Sequence, residues 1–319
     1  GVDYVLEAQL DPTGLEYPIA LDPGWGATAA MSVPRQEHAG VKLADGRILV
    51  FGGNAGATTT GHSTAEIWDP ATGTWSATGS MSVARSFVGA ALLADGKVLA
   101  IGGKNNAATC AVLSSSEVWD PSTGVWTAGP TLPKAWSDGP VQVASGNKVV
   151  IFAGVGACSS TSPYTTAAVL DVASGTWTGS TNTTAVYGDI RIHTAKLPSG
   201  KFLLTGSTSA GSNAASMFDA ATVAFSPAPL PLTARTAATM VVLPSGKVLL
   251  AGHGGPGASP LSTAEVFDPV TSAWSNVASM PATRFYGQGV ALTTGKALVG
   301  PGAGTVADAY REYRRLQHQ

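Results

Sequence analysis

Charge is the scarcest commodity in this chain: 18 basic and 20 acidic residues among 319 leave a net charge of -2. No basic stripe or block is present, so a surface tracking nucleic-acid phosphates is not expected. Cysteine is nearly absent, with Cys110 and Cys158 alone, which excludes a small disulfide-dense scaffold. No apolar run approaches the roughly 18 residues that a membrane-spanning helix needs. The opening residues, Gly1-Val2-Asp3-Tyr4, are not a charged n-region leading into an apolar h-region, so any export signal is expected to be already absent. What remains is a chain rich in small residues, glycine above all at 39.

Those glycines recur. A glycine before a basic or amide residue falls at Gly46-Arg47, Gly96-Lys97, Gly146-Asn147, Gly200-Lys201, Gly246-Lys247 and Gly295-Lys296. Each lies between an alternating apolar run and a β-branched or leucine-rich run, which reads as a hairpin on a tight glycine turn. A second marker follows in each unit: IWDPATGTW from 67, VWDPSTGVW from 118, VLDVASGTW from 169, MFDAATVAF from 217 and VFDPVTSAW from 266. Aspartate opens this second turn because its carboxylate bonds nearby backbone N–H groups, and proline presets φ. Four short strands in about 50 residues match a propeller repeat and depart from helical solenoids.

The outer-strand aromatics are Trp75, Trp126, Trp177, Phe225 and Trp274, and the next would fall beyond Gln319. Stepping back one period from Trp75 reaches Trp25 in LDPGWGATAAM, residues 21 to 31. The N-terminus is therefore expected to supply the missing strand of the last unit and so remove its open edges.

Paired glycines (Gly52-Gly53, Gly102-Gly103), the acid-then-aromatic third strand (Glu66-Ile67-Trp68, Glu117-Val118-Trp119) and the spaced tryptophan resemble the kelch family over nearly the whole chain. The expected fold is all-β: a six-bladed kelch-type β-propeller with four antiparallel strands per blade, one domain over 1 to 319. Residues 1 to 20 form an extension and 311 to 319 a tail.

An arginine before the first strand repeats together with the third-strand acid: Arg35 with Glu66, Arg85 with Glu117, Arg235 with Glu265, Arg284 with Asp308. Blade three has Ala135 beside Trp136, with Ala168 at the acid position; blade four has Asp189 and Ser216. Joint loss is what an intrablade ion pair would produce, because an unpartnered buried charge is costly. Four such pairs are expected.

Departures from the repeat mark where function is sought. Blades three and four carry Lys134, Trp136 and Asp138, then Tyr187, Asp189, Arg191 and His193, at the starts of inner strands. Those starts share a face with the irregular connections at 54 to 64, 104 to 115, 155 to 166 and 253 to 262, around the channel mouth. Glu37 and His38 of the first blade and Tyr286 and Gln288 of the sixth are expected at the same mouth. Trp136, Asp138, Lys134, His38, Tyr286 and Gln288 form the candidate ligand-binding set. Asp189, Arg191, Tyr187, His193 and Glu37 form the candidate acid–base set. His62 and His253 without acids at ligand spacing make no metal motif, so neither a metal nor a cofactor is expected.

Cys110 and Cys158 fall in equivalent connections of adjacent blades, an arrangement that suits a disulfide and an oxidising compartment, secreted or periplasmic. The expected role is binding a polar ligand, namely a glycan, peptide, protein or small polar molecule, as a monomer. The alternative is an isomerase, lyase or hydrolase with its active site at the same mouth. Kelch folds also resemble the propeller domain of galactose oxidase, whose chemistry uses copper, tyrosines, histidines and a thioether-linked cysteine. In the similar stretch IHTAKLPSGKFLLTG from 192, His193 matches a copper ligand, but Ile192 stands where that resemblance implies a tyrosine.

Overall fold

The computed structural model describes residues 4–5, 26–27, 29–56, 61–105, 111–157, 164–182, 192–208, 210–254, 260–283, 289–292, 296–299 and 308–311. Six antiparallel sheets follow one another along the chain, and within each the strands pair in sequence order. The first is Gln36–Lys42, Ile48–Asn54, Ala65–Asp69 and Thr74–Thr78. The second is Gly89–Leu92, Val98–Ile101, Ser116–Asp120 and Val125–Ala128. The third is Val141–Ala144, Lys148–Phe152, Thr166–Asp171 and Thr176–Asn182. The fourth is His193–Lys196, Phe202–Ser207, Asn213–Asp219 and Ala224–Pro227, and the fifth Thr239–Val242, Val248–Ala251, Ala264–Asp268 and Ala273–Val277. The sixth has three strands, Gly289–Ala291, Lys296–Val299 and Asp308–Arg311. Successive first strands lie against one another, 36–42 beside 89–92, then 141–144, 193–196, 239–242 and 289–291. This is the propeller arrangement, with first strands innermost.

Both turn markers work as the residues dictate. Gly46 and Gly96 adopt φ of 92° and 84°, which closes the first hairpin. In the second hairpin, Asp69 Oδ1 accepts from Ala71 N at 2.8 Å, Asp219 Oδ1 from Ala221 N at 2.8 Å and Asp268 Oδ1 from Val270 N at 2.9 Å. Second strands are buried almost throughout, as in Val98–Ile101, because each is covered by sheets on both sides.

Tryptophan joins blade to blade. Trp126 meets Phe51 of the first sheet edge-on at 5.0 Å and donates its Nε1–H to Gly79 O at 2.8 Å. A buried aromatic of ~200 Å² stabilises such a contact by at most about 5 kcal/mol.

Among the described residues, no strand from the N-terminus is seen in the sixth sheet. Gly26–Ala27 pairs instead with Tyr4–Val5 in a separate two-stranded ladder, so ring closure is not seen among the described residues. A nearby segment is the cheaper partner, because closing a short loop loses less entropy than joining opposite ends of the chain. Trp25 lies outside the described residues.

Candidate functional site

The lead-in before each inner strand is organised by its arginine. Arg85 lies fully buried. Its Nη1 donates to Gly102 O at 2.8 Å and Ser115 O at 2.9 Å, and its Nη2 donates to Glu117 Oε1 at 3.0 Å. Glu117 in turn accepts from the backbone N–H groups of Ser82 and Val83 at 2.7 and 3.2 Å. Arg35–Glu66 at 3.1 Å and Arg235–Glu265 at 3.1 Å repeat the motif. The expected intrablade pairs of blades one, two and five are therefore formed, while Arg284 lies outside the described residues. Burial alone would push the Glu66 carboxyl up; the Ser32 N–H and the Arg35 guanidinium outweigh it and hold the group below its ordinary range. Burial lowers the pKa of Arg85, and the Glu117 carboxylate offsets only part of that.

Two residues beyond the arginine, the chain turns through left-handed backbone at Glu37, Phe87 and Ala237, with φ of 58°, 51° and 47°. Asp138 holds the same place in blade three, at 67°. Left-handed backbone at a non-glycine residue costs about 1–2 kcal/mol, and here consecutive blades bond through it. Phe87 N donates to Glu37 O at 2.9 Å and Asp138 N to Phe87 O at 3.4 Å. This register opens or immediately precedes the innermost strands.

The side chains there find partners at the residue after each glycine pair, which the sequence did not single out. Asn54 donates its amide to Glu37 Oε2. Lys104, one blade on, lies 3.3 Å from Asp138 Oδ2 and 4.0 Å from the centre of the Phe87 ring. Glu37, Asn54, Phe87, Lys104 and Asp138 thus form one band with two carboxylates, an amide, an ammonium and an aromatic face. Asn54 and Lys104 are legible only once register is known, because neither belongs to the lead-in where departures from the repeat cluster.

Asp138 of the ligand-binding set and Glu37 of the acid–base set stand in this band. His38 is exposed on the first inner strand. Trp136 is not an open stacking surface: it is 2% exposed and packs with Leu99, Ile101, Val149 and Ile151 between the second and third sheets. Its carbonyl accepts from Gly103 N at 2.8 Å, as Arg85 O accepts from Gly53 N. Trp136, rather than Ala135, therefore occupies the arginine position, and an apolar ring there is driven into the core. Lys134 turns to the third strand of its own blade, 3.2 Å from Thr166 Oγ1 and 4.3 Å from the Tyr164 ring centre. His193 is buried on the first strand of sheet four, opposite Thr205. His253 is buried with Nδ1 2.6 Å from Thr236 O. Tyr187, Asp189, Arg191, Tyr286, Gln288, Cys110 and Cys158 lie outside the described residues.

Ile192 sits in a core cluster with Phe152, Phe202 and Leu204 and offers no oxygen ligand. Among the described residues no three His, Cys, Asp or Glu side chains are grouped to hold a metal ion.

The kelch motif matches residues 38–82, 89–133 and 248–281. A fungal alcohol oxidase described as having catalytic diversity among the AA5 family, solved in complex with copper, superposes with a TM-score of 0.67 at 16% identity. The match covers 86% of this chain and 62% of that one, so this chain spans less than two thirds of the oxidase's length. In all, 410 chains of solved structures match, so the fold by itself selects no activity. No curated protein matches by sequence.

Proposed function

We propose that this chain, a kelch-repeat β-propeller, binds a polar ligand, in the first instance a glycan, at the mouth framed by Glu37, Phe87 and Asp138. The supporting observation is the band in which Asn54 bonds Glu37 and Lys104 pairs with Asp138 beside the Phe87 ring. Carboxylates accept from hydroxyls, an amide and an ammonium donate to them, and an aromatic face covers C–H surface. Few convergent polar groups on rigid strand ends are what orient such a ligand. Glu37, Phe87 and Asp138 hang from backbone fixed by interblade hydrogen bonds, and Asn54 and Lys104 from backbone paired within their own blades, so little ordering is needed on binding.

Export is part of the proposal. A Cys110–Cys158 disulfide would accord with it, and intact mass with and without reductant would reveal that bond.

The test is a glycan array followed by calorimetry on the best hit, with the wild type, Glu37→Gln and Asp138→Asn. The expected result is saturable binding weakened about tenfold or more by each substitution, since each removes a charged hydrogen-bond acceptor. Binding that both variants retain unchanged, or no binding across the array, rejects the mouth as a glycan site.

A further inference from the structure

Blade three keeps the socket of the missing ion pair. In blade two, the Arg85–Glu117 pair fills the space between the lead-in N–H groups of Ser82 and Val83, the Gly102 carbonyl and Ser115. The residues at the corresponding places of blade three are Pro133, Lys134, Ala153 and Thr166, and with Ala168 and Gly179 they line a pocket of about 110 Å³. Ala168 pairs with Ile151 as Glu117 pairs with Ala100, so the missing carboxylate would have projected from this place. The strand register shifts between Thr166 and Ala168, and Ala167 N donates to Ser180 Oγ at 2.7 Å. A methyl group on Gly179 would meet no atom within 4 Å. The socket is open space that the rest of the blade tolerates.

We infer that this socket binds a short-chain aliphatic carboxylate, whose charged end takes the place of the absent glutamate. The lead-in N–H that holds the acid in blade two, at Val83, has its equivalent at Lys134. The Lys134 ammonium adds a cation at the rim, and among the described residues it has no acidic partner within ion-pair distance. Pro133 has no N–H, so the second backbone donor of blade two is replaced by the Lys134 side chain. The remaining wall is mostly apolar, from Ile151, Ala153, Ala168 and Gly179, and suits an alkyl tail. At ~30 Å³ per water of liquid volume the space is worth about four waters, room for the four carbons of butyrate with its carboxylate oxygens at the Lys134 rim. The site is separate from the mouth and does not depend on the glycan reading.

The experiment titrates the intact protein with sodium butyrate, butyramide and butylammonium while following backbone and indole N–H resonances by NMR. Butyrate should give saturable shifts at Lys134 and its neighbours with a millimolar dissociation constant, the range about six non-hydrogen atoms support. Butyramide should bind at least about threefold more weakly, and Lys134→Gln should lose a similar factor for butyrate. Gly179→Leu, which fills the socket, should abolish the shifts; if that variant does not fold, Lys134→Gln carries the test. Absence of saturation by butyrate, equal affinity for the three probes, or binding unchanged in folded Gly179→Leu would each overturn the inference.

Discussion

In blade two the lead-in segment buries a guanidinium against a glutamate, and the pair is stitched to two carbonyls and two N–H groups. In blade three the same register carries an indole and a methyl group, Trp136 and Ala168, and the ring leaves the socket to fill the seam between sheets. The backbone path is retained: Gly53 N bonds Arg85 O, and Gly103 N bonds Trp136 O, both at 2.8 Å. Main-chain bonds thus hold the lead-in in place, while side chains decide what fills the space beneath it. A polar network is all or nothing, because removing one partner strands the other, whereas an apolar substitute requires only volume.

The hardest way to break this comparison is to delete one member of the charged solution. Arg85→Ala leaves Glu117 buried without its cation and should cost about 3–5 kcal/mol, read from urea denaturation. Arg85→Ala with Glu117→Ala should cost less than the sum of the single changes, a coupling that contacting residues show and distant ones do not. Trp136→Ala combined with Ala168→Gly should couple more weakly, since the two share a core cluster but no charge is stranded there. Additivity at Arg85–Glu117 would mean that the two blades are held together alike.

A milder probe uses pH. The folded-state pKa of Glu66 is depressed, so its contribution is fully present above the unfolded value of about 4.3 and is lost as pH falls through the lower folded value. Glu66→Gln should therefore be less stable than the wild type by about 1–3 kcal/mol at neutral pH. That deficit should shrink below about pH 4. A deficit independent of pH would show that shape, not charge, is what Glu66 supplies.

The smallest expected effect lies at the opposite, tight-turn face, where the repeat is most regular. Gly73, Gly124 and Gly175 take positive φ in the second hairpin, and Ser272 holds the same place at 54°. Ser272→Gly should stabilise by about 1 kcal/mol by relieving left-handed strain, measured as a raised denaturation midpoint. No gain would mean that the turn in blade five has already relaxed around serine.

Much of the fold was legible because each unit repeats short-range chemistry: a glycine turn, an aspartate that bonds the backbone two residues on, and an alternating strand. The three described ion pairs were legible through joint loss of their members. Closure was not, since pairing of residues 26 and 27 depends on which edge they meet, and the local one at residues 4 and 5 was taken. Trp136 misled for a related reason. Its place in the sequence says that it opens an inner strand, but not to which side of the sheet the ring turns.

By itself the sequence determined the period, the six blade sheets, the turns of the first five units and the three described ion pairs, all of which follow from residue types at fixed local spacing. Tertiary structure alone decided that Asn54 and Lys104 meet Glu37 and Asp138, that Trp136 is buried, and that the described residues of blade three line a socket. Those facts arise from the register between strands and between neighbouring sheets, and from which of two faces a side chain finds already filled. Chain spacing does not encode these, because they depend on volumes brought together only when the sheets pack.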